Sequence, residues 1–544
     1  VDLNMDALRD RLGELPGIAQ VVTTPRACTP EGWQEVQRVA KESKPNRVLI
    51  GACMPYAYVP KLRELGAMLR LNPAMMDVVD VVSPLVAPQR KQEEAVGMFQ
   101  QVVSTLRMAA MKLLGADPAP LPQPRPVSKA ALVVGGGLAG MTAAVGIADH
   151  GYHVTLVERS ESLGGLAMHH KFSMGDGDPA RYMEDLVDRV EHHPNITVHK
   201  DSRVALTMGR AGKFMSVVAT PDGGAPLEHG ATILATGGKI SKVYGFGFLV
   251  RKTVFTQMEL EQQLASGALD LEKIDAVAMI QCWRSGDQER TYCSRVCCAN
   301  ALKNVLALKA KRPDLPVYVF YRDMMSYGFQ ERFFTKARQA GAVFFRYDPE
   351  TPPKVTFNES QPVITAHDPV LRQDVVVQAD ILALSCGVEP EEADEIAEIF
   401  GVPLDADGFY QEAERKWRPV DFLKQGVFHC GLGRAPGNMG EIVASSKAAA
   451  QRALCILSEQ RLTADSIIAE VRHSLCSLCG RCVEVCPYGA RSIDLDHDLV
   501  VVDELLCQGC GSCAAVCPNS ASYLRGFRDK ELMSTIDAAL EDVL

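Results

Sequence analysis

Residues 130–140 read Ala130-Ala131-Leu132-Val133-Val134-Gly135-Gly136-Gly137-Leu138-Ala139-Gly140. The apolar run is that of a short strand buried on both faces in a parallel sheet, and a G-x-G-x-x-G turn follows it at once. Met141 to Ala148 then has the composition of a helix, and His153-Val-Thr-Leu-Val157 is a second strand ending at Glu158. This is a complete βαβ context for a dinucleotide. Gly135 permits the tight turn, Gly137 lets the backbone approach a pyrophosphate at the helix N-terminus, and Gly140 lets helix and strand pack closely. Glu158, 21 residues past Gly137, is placed to accept hydrogen bonds from ribose hydroxyls.

Downstream, Glu158-Arg159-Ser-Glu-Ser-Leu-Gly164-Gly165 resembles the E-x(5)-GG continuation of flavoproteins built from two dinucleotide-binding domains. Ile233-Leu-Ala-Thr236-Gly237 resembles the strand by which their chain leaves the FAD domain, and Leu382-Ala-Leu-Ser-Cys-Gly387 its return. Gly426-Val-Phe-His-Cys-Gly431 stands where that family has a segment ending in Gly-Asp. Here Leu432 follows Gly431, so a backbone amide near Gly431 or Asn438 would have to replace the acid. By this resemblance the cofactor is FAD, and Arg159, Gly164, Gly165, Thr236, Gly237 and Gly431 join the three fingerprint glycines and Glu158 in holding it.

The C-terminal end carries one cysteine spacing twice: Cys476-x2-Cys479-x2-Cys482-x3-Cys486-Pro487 and Cys507-x2-Cys510-x2-Cys513-x3-Cys517-Pro518. This is the run for two [4Fe–4S] cubanes, in which the fourth cysteine of each run crosses to the other cluster. One cluster is therefore assigned to Cys476, Cys479, Cys482 and Cys517, and the other to Cys507, Cys510, Cys513 and Cys486. A pair of zinc knuckles is the alternative, because Cys-x-x-Cys also suits zinc.

A chain of 544 residues exceeds one core and implies several domains. A net charge of −10 argues against nucleic acid as a partner. No apolar run of about 18 residues predicts a membrane span, and no signal peptide is visible. Cluster-type cysteine spacings need a reducing compartment, so the expected location is the cytoplasm. The chain begins at Val1, which suggests a trimmed or lost N-terminus. The expected division is an N-terminal α/β domain (1–115), a Pro-rich linker (116–128), the first part of the FAD domain (129–240), an inserted NAD-like domain (241–385), the second part of the FAD domain (386–460) and a ferredoxin-like domain (461–544). The linker, Ala116 to Pro126, holds five prolines in eleven residues and is read as extended and unable to join a sheet. A short helical segment is expected near 461–473. The fold class is thus α/β: a two-dinucleotide-binding-domain, thioredoxin-reductase-like flavoprotein with an N-terminal α/β domain and an α+β two-cluster ferredoxin domain.

The insert departs from that template. Where a second glycine loop would follow the strand Ala276-Val-Ala-Met-Ile280, this chain has Gln281-Cys282, then Tyr292-Cys293-Ser-Arg-Val-Cys297-Cys298. Hydride delivery from NAD(P)H at this position loses its support. Four cysteines within 17 residues suggest metal ligation, with a redox disulfide or a zinc site as alternatives. Cys297 and Cys298 open a helix, whose N-terminus stabilises thiolate charge. The His169-His170 and His192-His193 pairs are read as solvated, Cys386, Cys430 and Cys455 as packing residues, and Glu389–Glu398 as a solvated helix face.

Taken with the rest, Tyr292-Cys-Ser-Arg-Val-Cys-Cys298 resembles the A subunit of heterodisulfide reductases, over nearly the whole chain. The resemblance implies a third [4Fe–4S] cluster on Cys282, Cys293, Cys297 and Cys298 beside the FAD, and a catalytic role for Lys303 near the reactive flavin nitrogen. It also implies an iron–sulfur flavoprotein oxidoreductase that passes electrons between flavin and clusters, and electron bifurcation as the sharper form. Implied partners are redox subunits of the heterodisulfide reductase B and C kind, a hydrogenase- or dehydrogenase-linked iron–sulfur subunit, ferredoxin, and a second copy within a larger complex. Two departures stand out. Residues 238–256 are too short for the extra ferredoxin insert of methanogen members, and of the N-terminal cysteines only Cys28 and Cys53 are kept. The alternatives are an NAD(P)H-dependent protein like the small subunit of glutamate synthase, or a component of a quinone-linked or aromatic-ring-reducing complex.

Overall fold

The computed structural model describes residues 4–24, 26–53, 55–82, 94–118, 123–175, 177–283, 290–464 and 467–541. The chain forms two compact units. One is Arg125–Leu462, and the other joins Val1–Pro124 to Thr463–Leu544.

In the first unit the strand Ala130–Val134 lies centrally in a five-stranded parallel sheet. The order is Val427–His429, Ala231–Leu234, Ala130–Val134, His153–Val157, Ile196–His199. Its alternate residues face opposite ways. Ala131 and Val133 pack under the helices Leu138–Ala148 and Met439–Leu457, whereas Leu132 and Val134 pack with the helix Ala393–Phe400 and the antiparallel strands Arg203–Arg210 and Lys213–Thr220. Burial on both faces explains the unbroken apolar run, the Leu and Val side chains each contributing roughly 1.5–3 kcal/mol.

A second five-stranded parallel sheet has the order Val254–Thr256, Ile381–Leu384, Val277–Ile280, Val317–Tyr321, Val343–Arg346. The chain passes between the two sheets twice, and these passages, Gly238–Ile240 and Val388–Pro390, pair antiparallel. The result is the two-dinucleotide-domain architecture expected from the sequence.

In the other unit Val48–Ala52 and Met76–Asp80 pair in parallel, with Gly51 exposed near the end of its strand. The C-terminal part has two antiparallel strand pairs, Ala469–Val471 with Ser522–Leu524 and Arg491–Asp494 with Leu499–Val502. Its last helix, Asp529–Leu540, packs on the long helix Glu94–Gly115. Arg528 fastens this junction, reaching Glu470 at 3.1 Å and Asp117 at 3.5 Å.

Two local expectations are corrected. The proline-rich stretch does join a sheet at its end, since Arg125–Pro126 pairs antiparallel with Arg461–Leu462. A two-residue edge ladder tolerates the missing N–H of proline. The expected helix near 461–473 is replaced by that strand and by Ala469–Val471. Residues 119–122 of the linker lie outside the described residues.

Candidate flavin cleft and cysteine centres

A cleft of about 790 Å³ opens at the C-terminal ends of the first sheet, where ligands bind in open α/β folds. Gly135 and Gly137 line it, with Glu158, Arg159, Gly164 and Gly165 beyond them. Thr236, Gly237 and Lys303 form another part of the wall. Gly140 and Gly431 sit one layer behind. At Gly135, φ is +109° and a Cβ would come within 2.2 Å of the Ala235 carbonyl oxygen. At Gly140 a Cβ would fall 1.8 Å from the Gly135 carbonyl oxygen, so the turn closes only with glycine at both positions.

Glu158 holds the turn as well as facing the cleft. It accepts from Gly136 N–H at 2.6 Å and Ser160 N–H at 2.8 Å, and a carboxylate with about four lone-pair positions keeps capacity for ribose hydroxyls. The Arg159 guanidinium is engaged by Glu391 at 2.7 Å and Glu392 at 2.6 Å. Part of the acidic segment expected to be solvated is therefore paired on the cleft wall. Opposite, Asn438 caps the helix Met439–Leu457 in a capping box with Glu441, which directs that helix's N-terminus at the cleft where the Asp of the usual Gly-Asp is missing. Thr236 Oγ1 meets Tyr410 Oη at 3.1 Å.

Lys303 is buried, and its ammonium lies 2.6 Å from Glu261 Oε2 and 3.0 Å from His170 Nδ1. Glu261 also accepts from the N–H groups of Lys171 and Phe172, at 2.6 and 2.9 Å. Burial would raise the Glu261 pKa, but His170, Lys303 and the Phe172 N–H hold it down to about 2. Burial lowers the Lys303 pKa against the pull of Glu261. The sequence reading of His170 as solvated is thus corrected: half-buried, it contacts the buried Lys303–Glu261 pair. Glu261 was not singled out from sequence, and its one local signal is a lone acid among the buried positions of the helix Gln257–Ser266.

Cys282 follows the strand Val277–Ile280 in a left-handed turn with φ +60°. Its sulfur and that of Cys298 both lie 3.7 Å from the Asp323 carbonyl oxygen. Cys293 Sγ accepts from Arg295 N–H at 3.4 Å, and Cys298 Sγ from Met325 N–H at 3.4 Å. Cys297 Sγ is 3.1 Å from the Cys386 carbonyl oxygen. Cys297 and Cys298 occupy the first turn of the helix Val296–Lys311. Val296, Ala299 and Lys303 of that helix line the cleft, as does Cys386. Burial, and then the adjacent Cys298, Cys293 and Cys282, push the Cys297 thiol up; burial is the main cause of the rise of Cys298 to about 12. Four cysteine sulfurs drawn from just past the end of one strand, a loop and the first turn of one helix are a donor set of the kind that holds an iron–sulfur cluster.

The C-terminal cysteines fall into two cavities. One is lined by Cys476, Cys479, Cys482 and Cys517, the other by Cys486, Cys507, Cys510 and Cys513. Backbone N–H groups reach the sulfurs: Ala490 to Cys486 at 3.3 Å, Ala521 to Cys517 at 3.2 Å and Ala469 to Cys507 at 3.3 Å. Burial works to raise the Cys517 thiol, yet the N–H groups of Ser522, Asn519 and Ala521 outweigh it and lower its pKa. Among the described residues no three His, Cys, Asp or Glu are placed together to hold a metal ion. Of the remaining cysteines, Cys430 is buried, Cys386 is a cleft residue as described above, and Cys455 is exposed rather than packed. Cys28 and Cys53 are exposed as well, near the buried Tyr58.

Residues 129–265 match the family described as pyridine nucleotide-disulphide oxidoreductase, and residues 469–518 match the 4Fe-4S dicluster domain. The iron-sulfur A subunit of CoB–CoM heterodisulfide reductase from Methanocaldococcus jannaschii is 27% identical, over 99% of this chain and 96% of its own. The A subunit of the H(2):CoB-CoM heterodisulfide,ferredoxin reductase from Methanothermobacter marburgensis is 28% identical, over 99% and 95% respectively. Among solved structures, thioredoxin reductase from T. acidophilum is 14% identical with a TM-score of 0.41, covering 61% of this chain and 100% of its own. No helix of the described residues is long and apolar enough to cross a membrane. Over nearly its whole length the chain is similar to A subunits of heterodisulfide reductases, and it is an iron–sulfur flavoprotein oxidoreductase.

Proposed function

We propose that the chain is the electron-transfer subunit of a heterodisulfide-reductase-like complex, passing electrons between FAD in the cleft and three [4Fe–4S] clusters. The cofactor-binding residues proposed are Gly135, Gly137, Gly140, Glu158, Arg159, Gly164, Gly165, Thr236, Gly237 and Gly431. The cluster ligands are the two C-terminal sets of four with, as a third set, Cys282, Cys293, Cys297 and Cys298. The carrying observation is that Cys282 follows the strand Val277–Ile280 where a second dinucleotide loop would begin, while Cys297 and Cys298 share a helix with the cleft residues Val296, Ala299 and Lys303.

Bound FAD supplies exchange between two-electron and one-electron carriers. The residues around it set its charge and proton access. Lys303 Nζ donates to Glu261 and lies 3.0 Å from His170 Nδ1, and Lys303 lines the cleft. A cation held there by a buried carboxylate favours negative charge on a bound ligand. Glu261 fixes the lysine. The bifurcating form of the reaction, in which one donor pair is divided between a strong and a weak acceptor, is proposed from the resemblance to the A subunits and from the position of Lys303 on the cleft wall. Redox subunits, ferredoxin and a second copy of the chain are the proposed partners, and the cytoplasm the proposed location.

The test is reduction of the anaerobic holoprotein by candidate donors. NADPH should leave the flavin band unbleached, while a reduced ferredoxin should bleach it. Rapid bleaching by NADPH would favour a pyridine-nucleotide-dependent enzyme and contradict this reading.

A further inference from the structure

The two C-terminal cysteine runs are internal copies, and their copies extend past the cysteines. Cys486-Pro-Tyr-Gly-Ala490 is followed by Arg491, and Cys517-Pro-Asn-Ser-Ala521 by Ser522. The backbone repeats too, since Ala490 N–H and Ala521 N–H each donate to the last cysteine of their own run, at 3.3 and 3.2 Å. The two following residues, equivalent by the duplication, meet. Arg491 Nη2 donates to Ser522 Oγ at 2.5 Å and to Cys513 Sγ at 3.1 Å. Arg491 and Ser522 are both 5% exposed. Arg491 lines both cysteine cavities.

Its charge has no ordinary counter-ion. No carboxylate among the described residues pairs with Arg491, and its Nη1 is buried without a hydrogen-bond partner. A buried guanidinium in that condition is costly, and arginine does not shed its proton to escape the cost. The anions in reach are the thiolates of the two cavities. The arginine touches one sulfur of the Cys486, Cys507, Cys510, Cys513 set directly. It also lines the cavity of the other set, together with Ser522, Cys482 and Cys517.

We propose that Arg491 is a potential-setting residue shared by the two C-terminal cubanes, raising the reduction potential of both and more strongly that of the cluster on Cys486, Cys507, Cys510 and Cys513. Each added electron makes a thiolate-bound cluster more negative. A fixed cation between the two stabilises the reduced form of each and screens the repulsion between electrons that reside on both at once. Ser522 is the positioning partner that keeps the guanidinium between the cavities. The proposal rests on the reading of two cubanes in this domain.

The experiment is an EPR-monitored potentiometric titration of the full-length holoprotein, with iron counted in each preparation. In Arg491→Met, two titration waves move to lower potential and the rest stay. The larger displacement corresponds to a change on the order of tenfold in the oxidised-to-reduced ratio at fixed potential. Arg491→Lys, which keeps the charge, returns both waves most of the way. Ser522→Ala gives a smaller displacement. Should Arg491→Met fail to retain iron, Arg491→Gln, which is neutral but still donates hydrogen bonds, must show the same downward movement. Full iron content with unmoved waves in a neutral variant overturns the proposal, as does an Arg491→Lys protein that behaves like the neutral one. Wild-type protein without the iron for two C-terminal clusters would instead overturn the reading beneath it.

Discussion

The Lys303 ammonium lies 2.6 Å from the Glu261 carboxylate on the wall of the flavin cleft, and the Glu261 side chain is only 1% exposed. An acid buried to that degree keeps its charge because Lys303, His170 and two backbone N–H groups converge on it. The pair is a buried structural contact on the cleft wall, and the role proposed for Lys303 separates from it by mutation.

Lys303→Ala leaves Glu261 as a buried unpaired charge and should destabilise the protein by roughly 3–5 kcal/mol in urea unfolding. Adding Glu261→Gln should recover part of that loss, because a neutral amide needs no counter-ion. A double variant whose loss equals the sum of the two single losses would show that the pair does not interact.

Gly140→Ala pushes a Cβ into the Gly135 carbonyl, where only 1.8 Å is available. The glycine turn that lines the cleft must then open. The purified variant should contain less than about half the flavin of wild type, read from absorbance against protein, since a displaced phosphate-binding turn loses its backbone bonds. Wild-type flavin content in this variant would show that the turn does not carry the cofactor.

His229 and His429 are both fully buried, and burial lowers the pKa of each to about 4. Each stays neutral in the fold while the unfolded chain takes up a proton below its ordinary value of 6.5. The unfolded state then binds more protons, so this stability is complete above pH 6.5 and is lost as pH falls toward 4. The slope approaches about 1.4 kcal/mol per pH unit for each histidine. His429→Phe, in a site already lined by Phe422 and Tyr410, should reduce the fall in melting temperature between pH 7 and 5. An unchanged pH profile would remove His429 from this role.

Much of the chemistry could be read along the chain because its ligands are close in sequence. The cysteine runs and the glycine turn each complete a local geometry, and the cavities sort the eight C-terminal cysteines into the two crossed sets expected from spacing. Glu261, His170 and Lys303 were a different case. They come from three segments joined only by folding of the two dinucleotide domains, so His170 looked solvated and Glu261 looked ordinary. Arg491 was hidden for a related reason: its significance comes from meeting Ser522 across the internal duplication. The packing of Asp529–Leu540 on Glu94–Gly115 is likewise a contact between distant segments that no local pattern announces.

The most direct measurement is iron per flavin in anaerobically purified protein, wild type beside Cys297→Ser/Cys298→Ser. The expected result is about 12 irons and one FAD in wild type, from three cubanes of four, falling to about eight irons with flavin retained in the variant. Wild-type protein with about eight irons, unchanged by the double substitution, would contradict a cluster at Cys282, Cys293, Cys297 and Cys298 and the electron path built on it.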